Sequence, residues 1–167
     1  MRDDVRMLPL REPDGERRLV LVCEQQLSPP PEQVFPFFAD AHNLERITPP
    51  WLRFRVLTPP PIRMGEGTLI AHRLRLHGLP LRWLTRITGW DPPHEFVDEQ
   101  LRGPYRLWHH HHTFEPDGAG GTIARDRVEY RLRGGAAVQA LAQRTLVERD
   151  LRAIFDYRRR ALADVFA

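Results

Sequence analysis

The stretch WHHHHTF at residues 108–114 decides how this sequence is interpreted, because it places four consecutive histidines between aromatic residues. Successive side chains of a β-strand point to opposite faces. One face of such a strand would carry Trp108, His110, His112 and Phe114. A purely structural core would use aliphatic side chains at these positions. We therefore expect a strand whose inner face lines a partly polar interior, with His109 and His111 facing outward.

The composition limits the class of protein. A chain of 167 residues is expected to form one domain, and it contains no run of about 18 apolar residues that would indicate a membrane helix. Residues 1–16 lack the apolar core of a secretory signal, and the single cysteine, Cys23, excludes an internal disulfide. We therefore expect a cytoplasmic protein that is not integral to a membrane.

The charge gives little support for nucleic-acid binding. All 25 basic residues are arginine, and the 22 acidic residues leave a net charge of only +3. The arginines are interspersed with acidic residues along most segments, so no strongly basic surface is expected. We accordingly expect no nucleic-acid partner.

The predicted elements follow the order strand, two short helices, about six antiparallel strands and one long helix. Residues 1–16 are polar and are expected to form a partly ordered arm before a single domain at residues 17–167. A strand at residues 17–27 precedes the proline-rich start of the first helix, where Ser28 is a possible cap. The second short helix is expected at residues 41–47.

The remaining pattern defines the sheet and the helix that covers it. Gly78-Leu79 is the expected two-residue turn of one hairpin. Residues 136–165 are expected to form the long helix, with apolar residues at three- and four-residue steps. This stripe comprises Val147, Leu151, Ile154, Phe155, Arg158, Leu162 and Val165. A curved antiparallel sheet of six to seven strands, wrapped around this helix, is the α+β arrangement that buries both apolar faces.

Several segments between about Leu19 and the end of the chain carry a family resemblance, among them residues 28–35, 43–49 and 96–100, and three others are the most specific. They are GPYRLW at residues 103–108 together with His110, His112 and Phe114, DRVEY at residues 126–130, and IFDYR at residues 154–158. With these segments the chain resembles the SRPBCC superfamily, which includes START-type lipid-transfer domains, and most resembles its small bacterial ligand-binding proteins labelled cyclase/dehydrase. The resemblance implies the helix-grip fold and an internal cavity between the sheet and the C-terminal helix. It implies no catalytic motif, since the superfamily contains binding proteins and enzymes alike.

The turn before the histidine stretch suggests how two strands pair. If Gln100 pairs with Trp108, then Asp98 lies opposite His110. Neighbouring strands are about 4.8 Å apart, so these two side chains would be in contact. A buried carboxylate needs such a partner, and the carboxylate in turn favours the protonated form of the histidine.

A second carboxylate is expected on the other side of the same histidine. If Phe114 pairs with Thr122, then Asp126 also lies opposite His110, which gives the row Asp98–His110–Asp126. A two-residue slip of the pairing would move the row but keep the same faces. A one-residue slip would place the carboxylates on the opposite face.

Three interpretations of this row are open. It can be a structural charge network, or it can orient the polar end of a ligand. The expected ligand-binding residues are Trp83, Phe96, Asp98, Gln100, Trp108, His110, His112, Phe114, Asp126, Tyr130 and Phe155. It can also support metal or acid–base chemistry, in which His110 and His112 are a candidate metal pair. The candidate catalytic residues are then His110, Asp98 and Asp126.

Three function classes follow from these interpretations. The favoured class is a carrier, sensor or sequestering protein that binds a small hydrophobic, aromatic or amphipathic molecule without a cofactor, as a monomer or homodimer. The second is a cyclase, dehydratase or hydrolase with His110 as acid or base. The third is an interaction module with a vestigial cavity. A concave pocket above about 300 Å³ is expected for the first two, and closed salt bridges around His110 are expected for a carrier rather than an enzyme.

Overall fold

The computed structural model describes residues 4–11, 17–134 and 146–167, and it shows a curved antiparallel sheet with a helix at the C-terminal end of the chain. The strands are β1 (Asp4–Arg11), β2 (Arg17–Leu27), β3 (Arg55–Val56), β4 (Leu69–Leu76), β5 (Leu79–Asp91), β6 (Glu95–Arg102), β7 (Leu107–Pro116) and β8 (Thr122–Arg131). Their order across the sheet is β1-β2-β8-β7-β6-β5-β4-β3. The predicted α+β helix-grip architecture is confirmed, with eight described strands rather than six to seven.

The additional strand comes from residues 1–16, where the sequence predicts a partly ordered arm. Part of this segment forms β1, which pairs with β2 at one edge of the sheet. Val5 is buried and Met7 packs against the same apolar cluster, whereas Arg6 and Leu8 are exposed on the opposite face. Two inward apolar residues form too short a pattern for the sequence alone to indicate a strand.

Three short helical segments follow β2, and the first two correspond to the two helices predicted there. They are α1 (Pro31–Ala39) and the 3-10 helices Ala41–Glu45 and Pro50–Leu52. Ser28 does not cap α1, because Pro30 occupies the N-cap position and no side chain bonds there. Pro31 begins the helix, where the missing N–H of proline costs no intrahelical hydrogen bond. Val34 and Phe35 bury the inner face of α1 in the core.

The long helix is α2 (Glu148–Val165), and its buried face follows the predicted stripe. The buried residues of the stripe are Leu151, Phe155, Arg158 and Leu162. The predicted beginning of this helix, at residues 136–145, lies outside the described residues. A buried arginine requires a counter-charge inside the fold. None of the helices in the described ranges is long and apolar enough to cross a membrane.

The hairpin between β4 and β5 turns one residue earlier than predicted. His77 and Gly78 lie between the paired strands, and Leu79 is already part of β5. Both turn residues have positive φ, 49° at His77 and 81° at Gly78. Two successive positive φ angles are typical of a type I′ turn rather than the predicted type II′ turn. The resulting register pairs His72 with Trp83 on the inner face.

Two apolar clusters fill the interior. The first includes Val34, Phe35, Ile87, Phe96, Phe114 and Leu162. The second includes Leu21, Cys23, Val128, Tyr130, Leu151 and Phe155. Along the inner face of β7, Phe114 belongs to the first cluster and Trp108 packs against the second. His110 and His112 lie between these two residues on the strand, so the sheet brings a polar region between two apolar ones.

Candidate functional site

A cavity of about 220 Å³ lies between the inner face of the sheet, α1 and α2. Its apolar lining includes Phe37, Phe38, Leu44, Ile47, Leu52, Phe54, Met64, Ile70, Leu74, Leu81, Trp83, Ile87, Phe96, Trp108, Ile154 and Phe155. Its polar lining includes Asp40, Asn43, Thr48, His72, Thr85, Asp98, Tyr105, His110, His112 and Arg158. The volume is below the expected minimum of about 300 Å³, which is also where common ligand pockets begin.

Seven of the predicted ligand-binding residues line this cavity, and four do not. Those in the lining are Trp83, Phe96, Asp98, Trp108, His110, His112 and Phe155. Phe114 and Tyr130 are instead buried inside the apolar clusters. Gln100 donates its amide N–H to the Tyr105 carbonyl at 2.8 Å and thereby holds the turn between β6 and β7. Asp126 does not reach the cavity surface but contacts the two histidines that do.

The strand register explains how these side chains meet. The pairing predicted between β6 and β7 is confirmed, since Asp98 lies opposite His110. The pairing predicted between β7 and β8 is wrong by two residues, because His112 rather than His110 lies opposite Asp126. The loop at residues 117–121 is closed by its own hydrogen bonds and is shorter than the prediction assumed. A two-residue slip preserves the faces of a strand, so the charged side chains still meet.

Five side chains form one connected group, the charge network, which consists of Asp98, His110, His112, Asp126 and Arg158. His112 Nε2 lies 3.0 Å from Asp98 Oδ2, and its Nδ1 lies 2.7 Å from Asp126 Oδ1, the latter outside hydrogen-bonding geometry. His110 Nε2 lies 3.0 Å from the same Asp126 oxygen, and its Nδ1 lies 3.5 Å from Asp98 Oδ2. Arg158 Nη2 approaches Asp126 Oδ1 at 3.5 Å. Asp126 is therefore the shared partner of three cationic or imidazole groups.

The two histidines of the network hold protons differently. Burial, followed by the nearby positive charge of His112, lowers the pKa of His110 to about 4. Burial acts against the charged form of His112 as well, but the contacts with Asp126 and Asp98 outweigh it and raise the pKa of His112. The environment of the network thus favours the imidazolium form of His112 and the neutral form of His110.

Both carboxylates of the network are ionised. Burial alone would raise the pKa of Asp98, but the hydrogen bond from His112 and the charges around it lower it. Burial opposes ionisation of Asp126 too, yet the charge of Arg158 and the two imidazoles hold its pKa well below the usual range. The two carboxylates thus face two imidazoles and one guanidinium, and these contacts compensate the cost of burying charge.

Arg158 is the member of the network that the predicted site omits. Its signal is present in the sequence, because it is the one charged residue in the apolar stripe of the C-terminal helix. The guanidinium also lies over the rings of Phe38 and Phe155, at 5.6 and 5.9 Å from the ring centres. The stripe predicts that Arg158 faces the sheet, but only the three-dimensional structure shows that Asp126 is its counter-charge.

His72 is a second omitted residue of the cavity lining. It is 94% buried, its Nε2 lies 3.1 Å from the Thr85 hydroxyl, and its ring packs between Phe54 and Trp83. Burial lowers the pKa of His72 to about 4, although the charge of Asp98 acts in the opposite direction. The Nδ1 atom is buried and has no hydrogen-bond partner among the described residues. His72 is therefore a neutral imidazole with one nitrogen available.

The two central histidines also belong to a group with the composition of a metal site. Asp98, His110 and His112 can each offer one ligand atom within 4.8 Å of the others. Phe96 stacks on His112 at 4.1 Å between ring centres, and Trp108 packs edge-on against His110 at 6.2 Å. Aromatic rings thus limit the access of water to this group, which strengthens its electrostatic interactions.

Solved structures share this fold at low sequence identity. Protein Ms6760 from Mycobacterium smegmatis is 18% identical, with a TM-score of 0.64 over 97% of this chain and 99% of that one. Protein CV1439 from Chromobacterium violaceum is 16% identical, with a TM-score of 0.67 over 88% and 96% of the two chains. The ZhuI aromatase/cyclase from Streptomyces sp. R1128 is 16% identical, with a TM-score of 0.62 over 89% and 93%. These similarities concern the fold alone.

The sequence itself matches a family model over most of its length. A comparison with curated protein sequences gives no match. The model described as polyketide cyclase/dehydrase and lipid transport matches residues 27–156, from the end of β2 into α2. This range contains the strands β4 to β7, whose side chains line the cavity. The chain belongs to the polyketide cyclase/dehydrase and lipid transport family.

Proposed function

We propose that this protein binds one small, mostly apolar molecule in the cavity between the sheet and α2, as a carrier, sensor or sequestering protein. The observation that carries the proposal is His72, a residue of the cavity lining whose buried Nδ1 has no hydrogen-bond partner among the described residues. An unpaired buried polar group costs about 1–3 kcal/mol. A ligand atom that bonds to His72 would remove this cost, so the site favours a ligand with one polar group.

The size of the cavity limits the ligand. A dry cavity of about 150 Å³ accepts benzene, and the volume here is about 220 Å³. This space suits a single substituted ring or a short branched chain. Neutral His72 can accept from the Thr85 hydroxyl and donate through Nδ1, or donate to Thr85 and accept at Nδ1. A hydroxyl or carbonyl oxygen on the ligand satisfies one of these two states.

The arrangement around His110 supports binding rather than turnover. An acid or base in catalysis must reach the substrate and hold or accept a proton near the working pH. Both ring nitrogens of His110 lie within 3.5 Å of carboxylates, and its pKa near 4 disfavours the imidazolium form that a general acid needs at neutral pH. The closed contacts match the expectation for a carrier. The small volume of the cavity is also expected for the alternative function, an interaction module with a vestigial cavity.

Native mass spectrometry of freshly purified protein tests the proposal most directly. We expect a co-purifying molecule of low mass in a one-to-one complex, released on denaturation. Titration with a panel of single-ring phenols, ketones and carboxylic acids follows, with quenching of tryptophan fluorescence as the signal because Trp83 and Trp108 line the cavity. Failure of the wild type to bind any member of the panel, together with no co-purifying molecule, would contradict the proposal.

A double variant identifies the polar contact. His72→Phe/Thr85→Val removes both polar groups and keeps the ring between its neighbours. We expect at least tenfold weaker binding of the best member of the panel. Arg73→Ala is the matched control, because Arg73 is exposed on the opposite face of the same strand. Equal affinities of the wild type and the double variant would show that His72 does not bind the ligand.

A further inference from the structure

Three potential ligand atoms converge at the centre of the charge network. Asp98 Oδ2, on β6, lies 3.0 Å from His112 Nε2 and 3.5 Å from His110 Nδ1, both on β7. Each of the three residues can offer one ligand atom within 4.8 Å of the other two. All three residues line the cavity, so the group has one side facing open space and the other facing the sheet.

These separations fit the coordination sphere of one metal ion. Two atoms that are each about 2.1 Å from an ion lie roughly 3.0 Å apart at a right angle and roughly 3.4 Å apart at the tetrahedral angle. The two separations at Asp98 have these values. An ion among the three atoms would replace the proton in the hydrogen bond between His112 Nε2 and Asp98 Oδ2, and this proton would be released to solvent.

The remaining ring nitrogens already have the partner that metal-binding histidines require. Such histidines usually direct the second ring nitrogen to a carboxylate, which fixes the ring and its tautomer. His110 Nε2 is hydrogen-bonded to Asp126 Oδ1 at 3.0 Å, and His112 Nδ1 lies 2.7 Å from the same oxygen outside hydrogen-bonding geometry. Arg158 lies 3.5 Å from the same oxygen. Asp126 thus leaves His110 Nδ1 and His112 Nε2 as the nitrogens that would meet the ion.

We propose that Asp98, His110 and His112 bind one divalent first-row transition-metal ion, such as Zn²⁺ or Fe²⁺, with Asp126 and Arg158 as its outer support. Two imidazoles and one carboxylate are ligands that both ions use with positions left open. The open side faces the cavity. The metal site is independent of the proposed organic ligand, because ion binding is measured without that ligand present.

Titration with Co²⁺ tests the site, since its visible absorption reports nitrogen and oxygen ligands. We expect one Co²⁺ per folded chain, displaced by one equivalent of Zn²⁺. His110→Gln keeps a polar side chain at this position but removes the imidazole, and it is expected to weaken binding at least tenfold. Asp98→Asn removes the anionic ligand and should weaken it at least as much. Circular dichroism establishes that each variant is folded before titration.

The matched control is the outer face of the same strand. His109→Ala/His111→Ala removes two histidines that lie two residues apart, as the inner pair does, but outside the cavity. This variant should bind Co²⁺ as the wild type does. Loss of binding in this variant would assign the ion to the outer face and overturn the proposal. Full binding by folded His110→Gln or Asp98→Asn, or no saturable binding by the wild type, would overturn it as well.

A measurement on the wild type tests the metal site even if His110→Gln and Asp98→Asn both fail to fold. The Trp108 ring lies 6.2 Å from the His110 ring, so bound Co²⁺ should shift or broaden the Trp108 proton resonances in the NMR spectrum. Unshifted Trp108 resonances at saturating Co²⁺ would place the ion elsewhere and refute the site.

Discussion

The cavity lining contains two buried polar regions that differ in their charge and in how that charge is compensated. In the charge network, two carboxylates face two imidazoles and one guanidinium, and each ring nitrogen of both histidines lies within 3.5 Å of a carboxylate oxygen, although His112 Nδ1 and Arg158 Nε make no hydrogen bond among the described residues. In the second region, which comprises His72 and Thr85, one hydrogen bond is made and His72 Nδ1 is left without a partner among the described residues. The first region is held together by opposed charges, and the second leaves one neutral nitrogen unpaired on a residue that lines the cavity.

The difference matters because the free-energy cost of burying each region has a different origin. Charges in the network are stable only together, since removal of one member leaves another buried charge uncompensated. The His72–Thr85 pair contains no charge at neutral pH, and its cost is a single unmade hydrogen bond. Substitutions should therefore have large effects in the first region and small ones in the second.

The largest effect is expected for Arg158→Leu. Loss of the guanidinium removes the permanent positive charge beside the buried Asp126 carboxylate, so the free energy of unfolding should fall by about 3–5 kcal/mol. Urea denaturation at pH 7.5, followed by circular dichroism, measures this change. Arg160→Leu is the control, because Arg160 is exposed on the same helix, and it should change stability by less than about 0.5 kcal/mol.

A small effect of Arg158→Leu would contradict the expectation that the charge network is more sensitive to substitution than the His72–Thr85 pair. If the variant lost less than about 1 kcal/mol, the network would not depend on this cation, and its two carboxylates would have to share a proton instead. Such a result would also weaken the outer support proposed for a metal ion.

The second effect is a dependence of stability on pH that arises from His72. Burial lowers the pKa of His72 from its ordinary value of 6.5 to about 4 in the folded protein. Between these two values the unfolded chain binds a proton that the folded chain does not. Stability is therefore fully present above pH 6.5 and falls as the pH is lowered towards 4, by up to about 3 kcal/mol from this group.

A comparison of the wild type with His72→Phe/Thr85→Val isolates the contribution of His72 to the pH dependence of stability. His110 has a similarly lowered pKa, and carboxylates add their own loss below pH 4.5. The wild type and His72→Phe/Thr85→Val share those groups, so the difference between their stability curves from pH 7.5 to 4 belongs to His72. Parallel curves would show that His72 is not held neutral by burial.

The amino-acid sequence predicts much of this fold, and its failures have identifiable physical causes. Alternation assigns both histidines of the network to the inner face, and three- and four-residue steps assign Arg158 to the buried face of α2. The β7–β8 register was missed because it depends on hydrogen bonds of the Asp117 carboxylate inside the connecting loop. A strand pattern carries no information about how tightly its loop closes.

The two omitted site residues illustrate a second kind of limit. The pattern of β4 places His72 between Ile70 and Leu74 on the inner face, so its burial could be predicted. Its missing hydrogen bond could not, because that depends on which side chains of other strands come within reach. For Arg158, in the same way, its burial follows from the helix stripe, but its partner depends on how α2 lies across β8.

The smallest effect is expected for His72→Phe/Thr85→Val at pH 7.5. Replacement of both members of a buried hydrogen-bonded pair by apolar groups of similar shape is close to neutral, whereas replacement of one leaves the other unpaired. The double variant should therefore lie within about 1 kcal/mol of the wild type, and His72→Phe alone should be less stable than the double variant by about 1–3 kcal/mol. Urea denaturation of the three proteins measures both differences. If the double variant lost as much stability as Arg158→Leu, the His72–Thr85 pair would be a structural element like the charge network, and its free nitrogen would no longer argue for a ligand.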